Sequence, residues 1–310
     1  LLALLSFVLP LTYGQDVLLD IQGHRGARGL KPENTLPSFE TALDLGVNTL
    51  ELDLHLTRDH VVVVWHDDRI TNDKCYLMGD VDAPNPDSLI YQGDKLLISQ
   101  LTWEQVQAYR CDRNPDPAQF AEQSTTPTVI AGDNYGIPSL AMVFDFVEQY
   151  SRSEEKTQAQ RTNAADIRFN IETKRKPDNP KAIDDGFDGE TLGIFEQEIL
   201  NIIDTHHLFD QVIIQSFDHR SLQVIHQENL PITLAALTTR YIPDFALLIE
   251  QGASIWSPNY RDLTPDLINE AHSIGLRVIP WTVNERETMD MLIAWGIDGI
   301  ITDYPNHLLE

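Results

Sequence analysis

Cysteine, basic residues and long apolar runs are all scarce in this chain, and each scarcity closes off a class of protein. Two cysteines, Cys75 and Cys111, cannot staple a chain of 310 residues, and their spacing matches no zinc motif. In an oxidising compartment they could close one disulfide. Lysine and arginine number 22 against 48 acidic residues, giving a formal net charge of −26. A polyanionic surface argues against nucleic acid and anionic membranes as partners. It also opposes an anionic substrate, although salt screens such repulsion over about 8 Å at physiological ionic strength. Any phosphate site must therefore make its own local positive charge. The one long apolar run is Leu1 to Leu11, interrupted only by Ser6 and Pro10. It is too short to span a bilayer as a helix but has the length of a signal-peptide h-region. Thr12 and Gly14 are small residues suited to cleavage before Gln15, so residues 1–14 read as a truncated signal peptide of an exported protein, periplasmic or secreted. No other stretch is apolar enough to cross a membrane, so no stable membrane insertion is expected.

The remainder alternates between two periodicities. Short β-type runs lie at Leu18 to His24, Val47 to Thr57, Arg168 to Lys174, Val212 to Phe217, Thr233 to Thr239, Ser254 to Asn259, Arg277 to Val283 and Gly299 to Asp303. Helical patterns separate them at Leu36 to Leu45, Leu140 to Tyr150, Glu190 to His207, His219 to Glu228, Pro243 to Gln251, Pro265 to Ser273 and Glu285 to Trp295. Eight strands with intervening helices predict an α/β fold, a TIM (β/α)8 barrel forming a single domain over residues 18–310. An open doubly wound sheet is disfavoured by the number of units. One segment, about 68–136, breaks the rhythm: it is rich in Asp, Asn, Pro and Gln, holds both cysteines, and shows one candidate helix at Thr102 to Tyr109. It reads as an insertion after a hairpin on the second strand, rising over the barrel's active-site face. Ser151 to Ala165 is polar and reads as a solvated loop.

The second strand carries the chemistry. Leu50, Leu52, Leu54 and Leu56 alternate with Thr49, Glu51, Asp53 and His55, which turns the leucines toward the helices and the polar set into the barrel. The third strand places Asn170, Glu172 and Lys174 on one face in the same way. Carboxylates inside a barrel are costly without a compensating cation. A structural ion-pair network is the ordinary explanation, but Glu51, Asp53 and Glu172 converging at a strand-end mouth suit a bound Ca2+ or Mg2+ better than zinc. His24 ends the first strand, where barrel enzymes place catalytic groups. His66 follows Val61 to Trp65; if the Thr57 to His60 turn closes an antiparallel hairpin, His66 stands level with Glu51. A lone histidine is usually a satisfied core or surface group, but two beside a carboxylate-bound metal suit acid–base work.

Taken in order, Gly23-His24-Arg25-Gly26, Lys31-Pro32-Glu33-Asn34-Thr35, Glu51-Leu52-Asp53, His66-Asp67, Ile171-Glu172-Thr173-Lys174 and Gln215-Ser216-Phe217-Asp218 resemble the glycerophosphodiester phosphodiesterase family, as do Trp281 to Asn284 and Ile301 to Pro305 near the end. The resemblance implies hydrolysis of glycerophosphodiesters to sn-glycerol 3-phosphate and an alcohol. It implies one divalent ion on Glu51, Asp53 and Glu172, with Ca2+ favoured over Mg2+ in an exported member. His24 and His66 would be the acid–base pair, Arg25 and Lys174 would hold the phosphate oxygens, and Trp281 would contact substrate. A lysophospholipase D-type reaction on the same site is the alternative, which an apolar groove on the insertion would favour; this insertion is polar. A non-catalytic barrel serving as a binding protein requires the loss of a histidine or a ligand, and none is lost.

Overall fold

The computed structural model describes residues 19–90 and 93–309; the expected signal segment, residues 1–14, lies outside them. Eight parallel strands form the barrel. They are β1 (Asp20–Gly23), β2 (Thr49–Leu56), β6 (Arg168–Thr173), β7 (Val212–Ser216), β8 (Thr233–Thr238), β9 (Ile255–Pro258), β10 (Arg277–Val278) and β11 (Gly299–Thr302). Their order is β10-β9-β8-β7-β6-β2-β1-β11. The seam between the two end strands is bridged by backbone bonds, Asp298 N–H to Val278 O and Ile301 N–H to Pro280 O, with Val283 N–H returning to Ile301 O. Strand β10 is shorter than its apolar run suggested, because Pro280 has no N–H to give a ladder.

Helices α1 (Leu36–Leu45), α3 (Leu140–Arg152), α4 (Gln158–Ala165), α5 (Ile194–Thr205), α6 (His219–Gln227), α7 (Phe245–Glu250), α8 (Pro265–Ser273), α9 (Arg286–Ala294) and α10 (Asn306–Leu309) surround it. The expected solvated loop at 151–165 is in part helix α4. Thr157 and Gln160 cap each other's backbone N–H groups reciprocally, which starts a helix that buries only Ala164. Helix α5 begins at Ile194 rather than Glu190, because Asp188 accepts from the N–H groups of Glu190 and Thr191 and folds them into a turn.

The alternation of β2 sorts as the periodicity required. All its residues are buried, and Leu50, Leu52, Leu54 and Leu56 join the layer between barrel and helices. Inside the barrel the two halves differ. Ile213, Ala235, Ile255, Ile279 and Ile301 form an apolar plug under one side of the mouth. Under the other, Asn170 donates to both Gln22 and Gln215, and Gln22 donates to Asp20. The polar half lies beneath the charged site.

Strand β3 (Val62–Val64) turns back along β2 with Leu54 opposite Val64 and Leu56 opposite Val62. Continued, that register would place His66 level with Leu52, one residue from the expected match with Glu51. The ladder ends at Val64 and the chain bends at His66, which brings the ring to the mouth. The segment that follows has its own small core, in which Trp65, Ile70, Ile98, Val106 and Tyr109 pack around the joined pair Cys75–Cys111. Its regular structure is slight: β4 (Tyr76–Leu77) pairs with β5 (Tyr109–Arg110), and α2 covers only Trp103–Val106.

Candidate active site

The site lies at the C-terminal ends of the strands, and strand register assembles most of it. Asp53 pairs with Glu172 across β2 and β6, and Glu172 with Gln215 across β6 and β7; Glu51 shares the inward face of Asp53 two residues earlier. Ligand oxygens of Glu51, Asp53 and Glu172 lie within 4.8 Å of one another. Glu51 Oε1 accepts from the Gln215 amide at 2.8 Å and Oε2 from the Arg25 N–H at 2.9 Å. The Lys174 ammonium is 2.8 Å from Glu172 and 3.4 Å from Asp53. Arg25 Nε lies 3.2 Å from Asp53, and Asn34 donates to the same Asp53 oxygen at 2.9 Å.

His24 and His66 line one cavity of about 120 Å3 together with Arg25, Glu51, Glu172 and Lys174; Phe217, Leu237 and Trp281 form its apolar side. Phe217 and Trp281 meet edge to face at 5.5 Å, and the indole is fixed by its N–H to Ser257 O. Each histidine has a carboxylate behind it. Register sets Gly23 beside Thr302, so the next residues, His24 and Asp303, become neighbours, with Nδ1 2.7 Å from Asp303 Oδ1. Asp303 is also gripped by two Arg28 nitrogens, Nε and Nη2, and by Asn284. His66 Nδ1 lies 2.7 Å from Asp67 Oδ1. A carboxylate on Nδ1 selects the tautomer protonated there and leaves Nε2 free to act.

The loop after β1 takes an unusual path to deliver these groups. Arg25 has φ of 54°, sparsely populated for a side chain of this size, and its carbonyl accepts from Asn34 N–H and Ser38 Oγ. Gly26 follows at φ 85°, where a Cβ would stand 2.5 Å from Ser38 Oγ.

Charge explains why the groups are so closely matched. Burial, then Asp53 and Glu172, push the Glu51 carboxyl well above its ordinary range. Burial would also raise Asp53, but Lys174 and Arg25 hold it well below. Burial and Arg25 take His24 down to about 4 despite Asp303, and burial with Arg25 and Lys174 pushes His66 the same way. Among the described residues, Arg25, Arg28, Lys74 and Lys174 face Glu33, Glu51, Asp53, Asp67, Glu172 and Asp303, two positive charges short of balance. Asp53 Oδ1 is buried without a hydrogen-bond partner. A divalent cation fits both facts: oxygen ligands suit a hard ion, and its charge closes the deficit.

The sequence reading named His24, His66, Arg25, Lys174, Trp281, Glu51, Asp53 and Glu172, and all of them stand at this mouth. It passed over Asp303, Glu33, Asn34, Asp67 and Gln215, although each lies inside a stretch already singled out, and over Arg28 and Lys74. A larger cavity of about 380 Å3 opens at the opposite end of the barrel, among α3, α4 and α5. Its His206 is already bonded through both nitrogens, to Ile202 O and Asp145.

A nearly closed parallel barrel with acidic, histidine-bearing strand ends defines a TIM-barrel enzyme. The chain belongs to the glycerophosphoryl diester phosphodiesterase family, whose pattern it matches over residues 24–307, and so to the phosphoric diester hydrolases. A glycerophosphodiester phosphodiesterase of Caldanaerobacter subterraneus subsp. tengcongensis is 27% identical over 293 residues, 93% of this chain and 95% of that protein. A crystal structure described as a putative glycerophosphoryl diester phosphodiesterase from Silicibacter pomeroyi has TM-score 0.74 at 25% identity, covering 95% of this chain and 93% of its own. An Oleispira antarctica phosphodiesterase, solved with the product sn-glycerol-3-phosphate, shares the fold at TM-score 0.66 and 18% identity over 94% of each chain.

Proposed function

We propose that this chain hydrolyses glycerophosphodiesters to sn-glycerol 3-phosphate and an alcohol in a metal-dependent reaction, with His24 and His66 as the acid–base pair. The observation that carries this reading is the pairing of two carboxylate-backed histidines with a buried three-carboxylate cluster in one small cavity. Glu51, Asp53 and Glu172 would hold one divalent ion, Ca2+ in preference to Mg2+, because carboxylates drawn from two strands, β2 and β6, suit a larger and less rigid coordination shell. When bound, that ion supplies Lewis-acid stabilisation of the charge that develops on the phosphate oxygens.

Arg25 and Lys174 complete the positive environment of the phosphate, so the polyanionic surface does not decide binding. One histidine accepts the proton of the glycerol 2-hydroxyl as it attacks phosphorus. The other gives a proton to the departing alkoxide as the second P–O bond breaks. Water afterwards opens the resulting cyclic phosphate with the two histidines' roles exchanged. One ring must therefore be neutral and the other charged, so the diester's negative charge must raise the donating ring against the burial and cations that lower both. Phe217 and Trp281 would pack against the alcohol or glycerol carbons on the apolar side of the cavity. The buried Cys75–Cys111 link supports an exported protein in an oxidising compartment.

The test is release of glycerol 3-phosphate from glycerophosphocholine by the purified chain. Chelator should abolish release and Ca2+ should restore it. Glu172→Gln should weaken metal binding about tenfold or more in calorimetry while the fold persists, as loss of one charged ligand requires. Full turnover in chelator, or unchanged affinity in the variant, refutes the metal assignment.

A further inference from the structure

A second group of possible metal ligands, Glu33, His66 and Asp67, also has its ligand atoms within 4.8 Å of one another. Here the chain supplies its own cation. Lys74 Nζ lies 2.8 Å from Glu33 Oε1 and 2.6 Å from Asp67 Oδ2, with its side chain 13% exposed. We infer that Lys74, contributed by the insertion, is a positioning residue for the reaction. Its ammonium fixes Asp67, and Asp67 fixes the His66 ring with Nε2 toward the substrate. This rests on the reading of His66 as an acid–base group.

The two histidines are supported unequally, which is why Lys74 matters to one of them. Asp303 behind His24 is buried and held by Arg28 and Asn284. Asp67 behind His66 is 29% exposed, and among the described residues Lys74 is the one cation within ion-pair distance of it. Removing Lys74 leaves Glu33 with Arg25 at 3.0 Å and Arg28 at 3.6 Å, so the phosphate side keeps its order. The His66 side does not, because a partly exposed carboxylate with a free oxygen can turn toward water.

The insertion is built to hold this ammonium. Cys75, the next residue, is tied to Cys111, and its N–H bonds to Thr71 O. The Lys74 carbonyl accepts from Arg113 N–H, and its ammonium lies 5.6 Å from the Trp65 ring centroid. An ordinary tie between insertion and barrel would show the same contacts, and kinetics separate the two.

The experiment uses the full chain loaded with Ca2+ and glycerophosphocholine as substrate. Lys74→Met should lower kcat by about tenfold or more, part of the 10²–10⁴ that a positioned acid–base group supplies, with KM changed less than about threefold. Lys74→Arg should recover most of kcat. In an Asp67→Asn background, Lys74→Met should change kcat by less than about twofold, because both act through one link. Lys74→Gln, which keeps a donor without the charge, gives the same reading should the methionine variant unfold. Wild-type kcat in the charge-free variants, or a loss that multiplies with that of Asp67→Asn, overturns the inference. No turnover by the wild-type chain would instead overturn the proposed function.

Discussion

Asp303 does three things at once: it fixes the His24 tautomer, it anchors Arg28 through two nitrogens, and it receives Asn284. Burial alone would raise its carboxyl, but His24 and Arg28 hold it far below the usual range. It therefore stays charged at any working pH, which is what an orienting group needs. Asp303→Asn preserves shape but presents an amide that can donate to Nδ1 and so favours the wrong tautomer. Steady-state kinetics should show kcat reduced on the order of 10²–10⁴-fold, the size seen when an orienting carboxylate is lost from a catalytic histidine. A kcat within twofold of wild type would mean that His24 needs no orienting partner.

At the scale of elements, the barrel and its insertion differ in how they are held. The barrel strands are buried on both faces and share one large apolar layer with the helices. Among its described residues the insertion has two-residue strands, one turn of α-helix, two short 3-10 turns, a small separate core and one disulfide. Reducing Cys75–Cys111, or replacing both by serine, should cost the insertion about 2–4 kcal/mol of local stability. Hydrogen exchange would show this as faster amides around β4 and β5, with β2, β6 and β7 unchanged. Equal acceleration in the barrel strands would show that the two fold as one cooperative unit.

At the scale of the whole molecule, the charge of −26 and the cationic groups at the mouth, Arg25 and Lys174, act in opposite directions on an anionic diester. The mouth acts at contact distance and the surface acts over a Debye length. Raising monovalent salt from about 10 to 200 mM, which shortens that length from roughly 30 Å to below 10 Å, should therefore raise kcat/KM a few-fold at saturating Ca2+. A steep fall with salt would show that the local field of Arg25, Arg28 and Lys174 governs encounter. Among the described residues no helix is long and apolar enough to cross a membrane.

The residue order by itself determined the barrel and the inward face of its second and third strands. Strand periodicity is a local property, and Glu51, Asp53, Glu172 and Lys174 can be read from alternation alone. His24 and Arg25 are legible because they end a strand and a recognisable motif. Helix α4 was read as a loop because its surface is polar, although Thr157 and Gln160 carry the spacing of a reciprocal cap. The partner of His24 was decided only in three dimensions. His24 and Asp303 are 279 residues apart and meet because β1 and β11 close the barrel in one register. Lys74 reaches Glu33 across 41 residues through an insertion without periodicity, so nothing in its neighbourhood marks it. Alternation tells which way a side chain points; register and loop path decide what it meets, and those depend on contacts between residues far apart in the chain.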